Sequence, residues 1–272
     1  MYNLAIDVGF GFTKATDGKQ VLTFKSLIGD AVDIQFWSDV IEAEPVDNLH
    51  VTIDNKEYFV GDLAERQSNV RHFTLDQTTL LENSLRILAL TAAGTFRGED
   101  IQFNVVTGLP VSYFKQQKDR VAALLRGMHR VKYHTPDNRQ IESSFLINRI
   151  QVVPQPFGSI FNLIMNNQGK IVNTDLAKRK LGVIDVGFRT TDLTISDGLR
   201  YVERGSRTTD TGISKAFSII AKKLSERTGI EVELFRLYNS VSGGSIRIRG
   251  KEYILSELRD QVYAQLAATI AS

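Results

Sequence analysis

A five-residue string, Ile-Asp-Val-Gly-Phe, occurs twice in this chain, at residues 6–10 and again at 184–188. Each copy follows a short apolar run, continues into a segment rich in threonine, and is closed by an Asp-Gly pair, at 17–18 and at 197–198. One such turn would carry little weight, because Asp and Gly are favoured in turns for conformational reasons alone. Two copies in the same setting predict two similar halves, each built on a strand–turn–strand unit.

Length and composition fit two halves of an ordinary folded protein. A hydrophobic core stops growing at about 250–300 residues, and the chain has 272, so two medium domains are expected. Hydrophobic residues make up 42% and charged residues 24%, as in typical globular chains. The net charge of +2 does not indicate nucleic-acid binding, and the lack of cysteine excludes disulfides and cysteine metal sites. No apolar run approaches the length of a membrane helix, so we expect a cytoplasmic protein without membrane insertion.

Strand-like and helix-like segments alternate along both halves, which predicts an α/β fold. Residues 30–75 are short and irregular in pattern and are expected to form a small inserted lobe. Residues 79–93 carry apolar side chains at helical spacing, and a buried strand follows them. A segment with two prolines then precedes the second strand–turn–strand unit. We therefore divide the chain into domains at 1–155 and 156–272.

The repeated turn has the properties of a phosphate-binding loop. Gly9, Gly11 and Gly187 let backbone amides approach an anion closely, because no Cβ stands in the way. An aspartate that touched phosphate directly would repel it, so Asp7 and Asp185 are better placed to hold Mg²⁺ through water. The first turn is not a Walker A loop, which needs Gly-x-x-x-x-Gly-Lys before a helix, and it lacks the third glycine of the dinucleotide fingerprint.

The residues after the glycines differ in charge between the two copies. Thr13, Thr190 and Thr191 offer hydroxyl donors to a bound phosphate. Lys14 supplies positive charge in the first copy, whereas Asp192 stands at the corresponding place in the second. The two turns are thus predicted to be similar in shape and unequal in charge.

The histidines are the remaining candidates for metal ligands, and they are His50, His72, His129 and His134. His129 and His134 lie where an alternating stretch meets a Pro-Asp-Asn turn, which predicts a hairpin. Their five-residue separation puts them on opposite faces of a regular strand. We interpret both as solvated hairpin residues.

Five segments of the chain resemble the actin, Hsp70 and sugar-kinase superfamily, and most of all the bacterial and archaeal actin-like proteins of the ParM group. The two repeated turns are similar to that family's two phosphate loops, and the first has a lysine seven residues after its aspartate. The matching segments are IDVGFGFTKA, VIDVGFRTTDLTI, YFVGDLAERQS, VVPQPFGSI and DTGISKAFSIIAKKL. The resemblance implies a duplicated actin-like (ribonuclease H-like) α/β fold, with two domains that flank a nucleotide cleft and each carry a smaller inserted lobe.

The resemblance also implies a set of site residues. Asp7 and Asp185 would position hydrated Mg²⁺, and Gln155 would orient the attacking water as the third catalytic residue. ATP or GTP would be bound through the phosphates by both turns and through the ribose or adenine by a helix start. The residues implied to bind nucleotide are Gly9, Gly11, Phe12, Thr13, Lys14, Gly187, Arg189, Thr190, Thr191, Gly212 and Lys215.

The family continues beyond this point into a strand, a glycine-rich loop that holds the adenosine, and a terminal helix. We expect the present chain, which stops at Ser272, to lack that loop and the return helix. The Gly243-Gly244 pair precedes a hairpin and is not expected to replace it.

Three functions are compatible with such a fold. The first is a polymerising ATPase whose subunits bind one another head to tail in an open filament, with an adaptor protein that links the filament to DNA or other cargo. Its role would be plasmid segregation or intracellular positioning. The alternatives are a nonpolymerising nucleotide-dependent binding protein and a small-molecule kinase, although no stretch resembles a sugar-binding loop.

Overall fold

The computed structural model describes residues 2–34, 45–73, 83–96, 101–137, 139–166 and 168–272. The described strands are β1 (Tyr2–Val8), β2 (Phe12–Thr16), β3 (Val21–Lys25), β4 (Leu27–Asp30), β5 (Leu49–Ile53), β6 (Lys56–Val60), β7 (Arg71–Phe73), β8 (Ile101–Leu109), β9 (Gly127–His134), β10 (Gln140–Pro154), β11 (Lys180–Val186), β12 (Thr191–Asp197), β13 (Arg200–Tyr201), β14 (Arg207–Thr209), β15 (Ser245–Ile248) and β16 (Lys251–Ile254). The described α-helices are α1 (Asp62–Gln67), α2 (Leu85–Thr95), α3 (Val111–Leu125), α4 (Pro156–Ile164), α5 (Thr174–Lys178), α6 (Ile213–Thr228), α7 (Leu237–Gly243) and α8 (Ser256–Ala271). None of these helices is long and apolar enough to cross a membrane.

A mixed sheet of ten strands forms most of the first half, in the order β3-β2-β1-β8-β10-β9-β5-β6-β4-β7. β1 pairs with β2 as an antiparallel hairpin and with β8 in parallel, and β8 pairs in parallel with β10. Alternate residues of β8 are buried, and α2 is buried along nearly its whole length. The apolar face of the sheet and α2 therefore form one core, in which Phe103 and Leu88 are at most 1% exposed.

The second half repeats the hairpin of the first. β11 pairs with β12 in antiparallel fashion, β13 and β14 both pair with β12, and β15 pairs with β16 in a separate two-stranded sheet. Phe217, Ile220 and Leu224 of α6 pack with Val262 of α8 in one core cluster. Phe157, Ile160 and Ile164 of α4 form another cluster, against which Leu181 and Val183 of β11 pack. Both strand–turn–strand units are thus anchored by apolar contacts.

The predicted α/β class is confirmed, and the differences concern strand continuity, strand pairing and the burial of His129, which is 8% exposed and not solvated as predicted. The sequence suggested two strands here, the second strand of the hairpin and a later strand that ends at the prolines. In the structure they form one continuous strand, β10, with a bulge between Ile147 and Arg149. β5 pairs with β9, so the strands of the predicted small lobe extend the main sheet. Residues 35–44 and 74–75 of that lobe and 79–82 of the predicted helix lie outside the described residues.

Gly94 of α2 packs closely against Tyr133 of the sheet. A Cβ on Gly94 would be 2.5 Å from the hydroxyl oxygen of Tyr133, and that hydroxyl donates to the carbonyl of Thr91 at 2.6 Å. Ala is favoured over Gly within helices by about 1 kcal/mol, but overpacking a core costs about 1–3 kcal/mol. We expect Gly94→Ala to lower the free energy of unfolding by up to about 2 kcal/mol in urea titrations.

The matched control is Gly158→Ala on α4, where an added Cβ meets no atom within 4 Å. This change is expected to leave stability unchanged or raise it by up to about 1 kcal/mol. Tyr133→Phe removes the contacting hydroxyl, so its combination with Gly94→Ala should cost less than the sum of the two single changes. Strict additivity would show that the hydroxyl is not what excludes the methyl group.

Candidate functional site

The two glycine turns have the same hydrogen-bond geometry. The Gly9 amide donates to the carbonyl of Phe12 at 3.0 Å, and the Gly187 amide donates to the carbonyl of Thr190 at 2.8 Å. A Cβ on Gly9 would be 2.8 Å from the Phe12 oxygen, and one on Gly187 would be 3.0 Å from the Thr190 oxygen. A side chain at Gly9 would therefore clash with the turn, and one at Gly187 would be tightly crowded by it, so glycine suits both positions.

The strands that flank the turns are in the same register. Asp7 of β1 pairs with Lys14 of β2, and Asp185 of β11 pairs with Asp192 of β12. The correspondence between Lys14 and Asp192 that the sequence predicts therefore holds in the structure. The first hairpin places a cation opposite its aspartate, and the second places another carboxylate there.

Asp7 and Asp185 are close enough to influence each other. Burial raises the pKa of Asp7, the charges of Lys14 and the hydrogen bond from Gln155 lower it, and the charge of Asp185 raises it further. Burial also raises the pKa of Asp185, and Lys14 opposes that shift. The structure thus brings Lys14 into the field of both aspartates, one from each half.

Gln155 links the crossing segment to the first turn. Its side-chain Nε2 donates to Asp7 Oδ1 at 2.9 Å, and its backbone amide donates to the carbonyl of Leu109 at 2.9 Å. A Cβ on Gly108 would be 2.6 Å from Gln155 Cγ, so the end of β8 must be glycine there. The structure therefore brings the three predicted catalytic residues, Asp7, Asp185 and Gln155, together, and Gln155 is hydrogen-bonded to Asp7.

The second turn is joined to the start of α6. The amides of Ile213 and Ser214 donate to the carbonyls of Gly187 and Phe188 at 3.1 and 2.6 Å. A Cβ on Gly212 would be 2.4 Å from the carbonyl carbon of Arg189. Gly212 is thus the N-cap residue of α6, at a position beside the turn where a Cβ would not fit.

Several predicted nucleotide ligands have protein partners of their own. The Thr13 hydroxyl is 2.9 Å from that of Ser26, and the Thr191 hydroxyl donates to the carbonyl of Thr211 at 2.5 Å. Both threonines are fully buried, and Thr190 is 5% exposed. The hydroxyls of Thr13 and Thr191 therefore hold the hairpins together, and the arrangement does not support their direct use as phosphate donors.

The charged residues of the second half make local contacts. Arg189 Nε is 3.2 Å from Asp210 Oδ1, and its guanidinium lies 5.6 Å from the ring centre of Phe10 in the first turn. Lys215 is exposed and donates to the Thr211 hydroxyl at 2.9 Å. Arg189 thus contacts the opposite turn, and Lys215 lies on the first turn of α6.

Aromatic rings join the two turns. The ring of Phe12 is 4.7 Å from that of Tyr238, and the ring of Phe188 is 4.9 Å from the same tyrosine. A Cβ on Gly11 would be 2.5 Å from the Tyr238 hydroxyl. The Phe12 side chain is therefore part of an interface between the halves. No motif in the sequence indicated Tyr238.

Asp192 links the second hairpin to the start of α3, a role that the motif did not predict. Its Oδ1 accepts from the Val111 amide at 3.1 Å and from the Thr208 hydroxyl. The Thr208 hydroxyl oxygen in turn accepts from the Ser112 amide at 2.9 Å. Burial raises the pKa of Asp192 despite these hydrogen bonds. The only signal in the sequence was its position opposite Asp185.

A separate cavity of about 470 Å³ lies away from the turns. The predicted site residues are not among those that line it, which include Glu65, Arg236, Arg247 and Arg249. The candidate site is therefore defined by the turns and not by this cavity.

Comparison with known families agrees with this geometry. The family described as "Actin like proteins N terminal domain" matches residues 5–158. The chain belongs to the actin-like protein family. Residues 183–272 match the C-terminal domain described as "Archaeal actin homologue MreB-like". No curated protein sequence matches the chain.

Solved structures of other actin-like proteins share the fold over nearly the whole chain. A 15-stranded ParM filament from Clostridium botulinum is 26% identical with a TM-score of 0.80, and a non-polymerisable quadruple mutant of pCBH ParM is 26% identical with a TM-score of 0.78. Both comparisons cover 99% of this chain and 82% of the other. Ta0583, an archaeal actin homolog, is 21% identical with a TM-score of 0.78 over 99% of this chain and 80% of its own. Membership of the actin-like group and its fold are thus confirmed.

The raised pKa of Asp185 has a consequence for stability. Because the folded state holds this proton more tightly than the unfolded state, ionisation destabilises the fold above the ordinary value of 3.8. We expect Asp185→Asn to stabilise the actin-like chain relative to the wild type, by a margin that grows as the pH rises from 3.8 and levels off above the raised pKa of Asp185. Urea unfolding in chelator from pH 3 to 8 measures that margin.

The control is Asp17→Asn in the exposed turn of the first hairpin. The amides of Gln20 and Lys19 lower the pKa of Asp17, so its ionised form stabilises the fold above pH 3.8. Its replacement should give the opposite sign over the same pH range. A margin for Asp185→Asn that shrinks as the pH rises would contradict the assignment of a raised pKa.

Proposed function

We propose that this actin-like chain binds a nucleoside triphosphate with Mg²⁺ between its two glycine turns and hydrolyses it. The observation that carries the proposal is the position of Lys14 in the field of two aspartates at matching places of two like hairpins. The complex of Ta0583 with ADP shares the fold, with 20% identity and a TM-score of 0.77. A cleft between two such turns suits the phosphates of ATP or GTP.

The residues present suit a hydrated magnesium ion. Mg²⁺ takes oxygen ligands and keeps several of its waters, and Asp7 and Asp185 offer carboxylate oxygens from opposite sides. Burial raises the pKa of both groups, which means that Lys14 and Gln155 compensate their negative charge only in part. When bound, the ion would neutralise charge that develops on the phosphates. Asp7 and Asp185 would hold it through water.

The two turns would hold the phosphates by different means. Lys14, exposed on β2, would contribute a positive charge from the first half. Backbone amides of residues 9–13 and 187–191 would donate from both halves, except where they already close a turn, as at Gly9 and Gly187, or lie in strands paired on both sides, as at Thr13 and Thr191. Gly212 and Lys215, at the start of α6, would face the ribose or adenine.

Gln155 would orient the attacking water. Its Nε2 already donates to Asp7, so its Oε1 is the atom that can accept a hydrogen bond from a water molecule. Phosphoryl transfer through a loose transition state needs positioning more than a strong base, which suits a neutral amide. The proposed division of the chain at 155 and 156 places this residue at the crossing between the halves.

We further propose that the chain assembles into filaments. Two structures of ParM, one of them a filament, are 26% identical to it over 99% of its length. Nucleotide held by both halves would set their relative orientation, and subunit contacts that span both halves would respond to it. The partners would be further copies of this chain, bound head to tail, and an adaptor that links the filament to DNA or other cargo in the cytoplasm.

Light scattering with sedimentation tests this proposal directly. We expect scattering to rise with Mg-ATP or Mg-GTP and not without nucleotide, and Asp185→Ala to abolish the rise. The matched control is Asp197→Ala, which changes an exposed aspartate on β12 of the same hairpin and should assemble normally. Equal assembly by the Asp185 variant would refute the nucleotide site, and nucleotide binding by calorimetry without assembly would refute the filament.

The Gln155→Ala variant tests whether Gln155 positions the attacking water without contributing to nucleotide affinity. We expect the rate of nucleotide hydrolysis to fall by about 100-fold, because general acid–base and water-positioning groups contribute about 10²–10⁴-fold. Nucleotide affinity should change by less than about threefold. Gln140→Ala, at the exposed start of β10, serves as the control. Hydrolysis at the wild-type rate would assign Gln155 a structural role only.

A further inference from the structure

Three side chains of metal-ligand type meet on the first sheet, outside the nucleotide site. His50 lies on β5, Glu57 on β6 and His134 on β9, and their ligand atoms all lie within 4.8 Å of one another. Two imidazoles and one carboxylate are a donor set that Zn²⁺ uses in proteins. None of these residues has a part in the phosphoryl chemistry proposed above.

The register of the strands places all three on one face. β5 lies between β6 and β9 in the sheet, and His50 pairs directly with His134. Glu57 pairs with Thr52, which is two residues from His50 and therefore on the same face. Directly opposed residues of an antiparallel pair point to the same side. The backbone of three hydrogen-bonded strands thus fixes the positions of the three groups.

Neighbouring side chains orient the imidazoles. The rings of His50 and His134 stack at 4.1 Å with an angle of 19° between their planes, and Phe59 contacts His50 edge-on at 4.8 Å. His50 Nε2 is 3.2 Å from Glu57 Oε2, and His134 Nε2 is 2.6 Å from the Thr52 hydroxyl. The Nε2 atom of His50 therefore points toward β6, and that of His134 points toward β5.

We propose that His50, His134 and Glu57 bind one divalent transition-metal ion of the Zn²⁺ type. Tetrahedral coordination with bonds of about 2.0–2.1 Å places ligand atoms about 3.3 Å apart, so separations within 4.8 Å need closure by about 1.5 Å at most. His50 Nε2 and Glu57 Oε2 are already 3.2 Å apart, so binding requires the partly buried His134 ring to turn out of its stacked orientation and direct a nitrogen lone pair at the ion. The fourth position is open to water.

The donor set distinguishes this ion from the one at the nucleotide. Imidazole nitrogen suits Zn²⁺, Co²⁺ and Ni²⁺, whereas Mg²⁺ prefers oxygen. Binding would tie β9 to the β5–β6 hairpin, two segments about 80 residues apart in the chain. The ion would therefore stabilise the part of the sheet formed by residues 45–73.

Calorimetry and cobalt spectroscopy on the full chain test the site. After treatment with chelator, we expect Zn²⁺ and Co²⁺ to bind with one equivalent at micromolar concentrations, and Co²⁺ to give visible absorption bands of a four- or five-coordinate site. Both ions should raise the melting temperature by several degrees, and Mg²⁺ at the same concentration should not. Binding only at millimolar concentrations would overturn the proposal.

Three variants assign the ligands. His50→Ala and His134→Ala should each weaken Zn²⁺ affinity at least tenfold, and Glu57→Gln, an exposed change that keeps the fold, should weaken it by a similar factor. Glu142→Gln on β10 is the control and should bind as the wild type does. Circular dichroism checks folding of each variant. Zn²⁺ binding unchanged in the Glu57 and His134 variants would place the ion elsewhere and refute this site.

Discussion

The burial of two carboxylates beside one lysine is the constraint on which the rest of the site depends. Asp7 and Asp185 each sit at the end of a strand that a glycine turn closes, and burial opposes their ionisation. Lys14 offsets only part of that cost. Under the proposed function, a magnesium-bound triphosphate would bring additional positive charge to these carboxylates and anionic groups to the backbone amides.

The surrounding contacts keep the two turns in place when that charge is missing. The second turn is bonded to the first amides of α6, and the first is bonded through Asp7 to Gln155 of the crossing segment. Aromatic rings from both halves meet at Tyr238. The turns are thus held by contacts within the protein. Under the proposed function, a nucleotide would have little structure to create on binding, and its binding energy would be available to set the angle between the halves.

The sequence was sufficient for the features that depend on local chemistry. The duplicated string placed both hairpins, and the pairing of Asp185 with Asp192 follows the spacing of Asp7 and Lys14. Features that depend on tertiary contacts could not be predicted from the sequence. The motif does not encode the burial of Thr13 and Thr191, because that burial depends on which face of each hairpin packs against the rest of the fold. The stacking of His50 on His134 needs a strand pairing between distant segments, which no local pattern encodes.

The contact between Asp192 and the start of α3 also restricts how the protein can move. The carboxylate is 3% exposed and accepts hydrogen bonds from an amide of the first half and from a threonine of the second. Separating these groups would leave a buried charge and helix amides without partners, at a cost of about 1–3 kcal/mol or more for each lost partner. Any relative motion of the halves is therefore expected to keep the start of α3 in contact with Asp192 and Thr208, so that this contact limits which motions are possible.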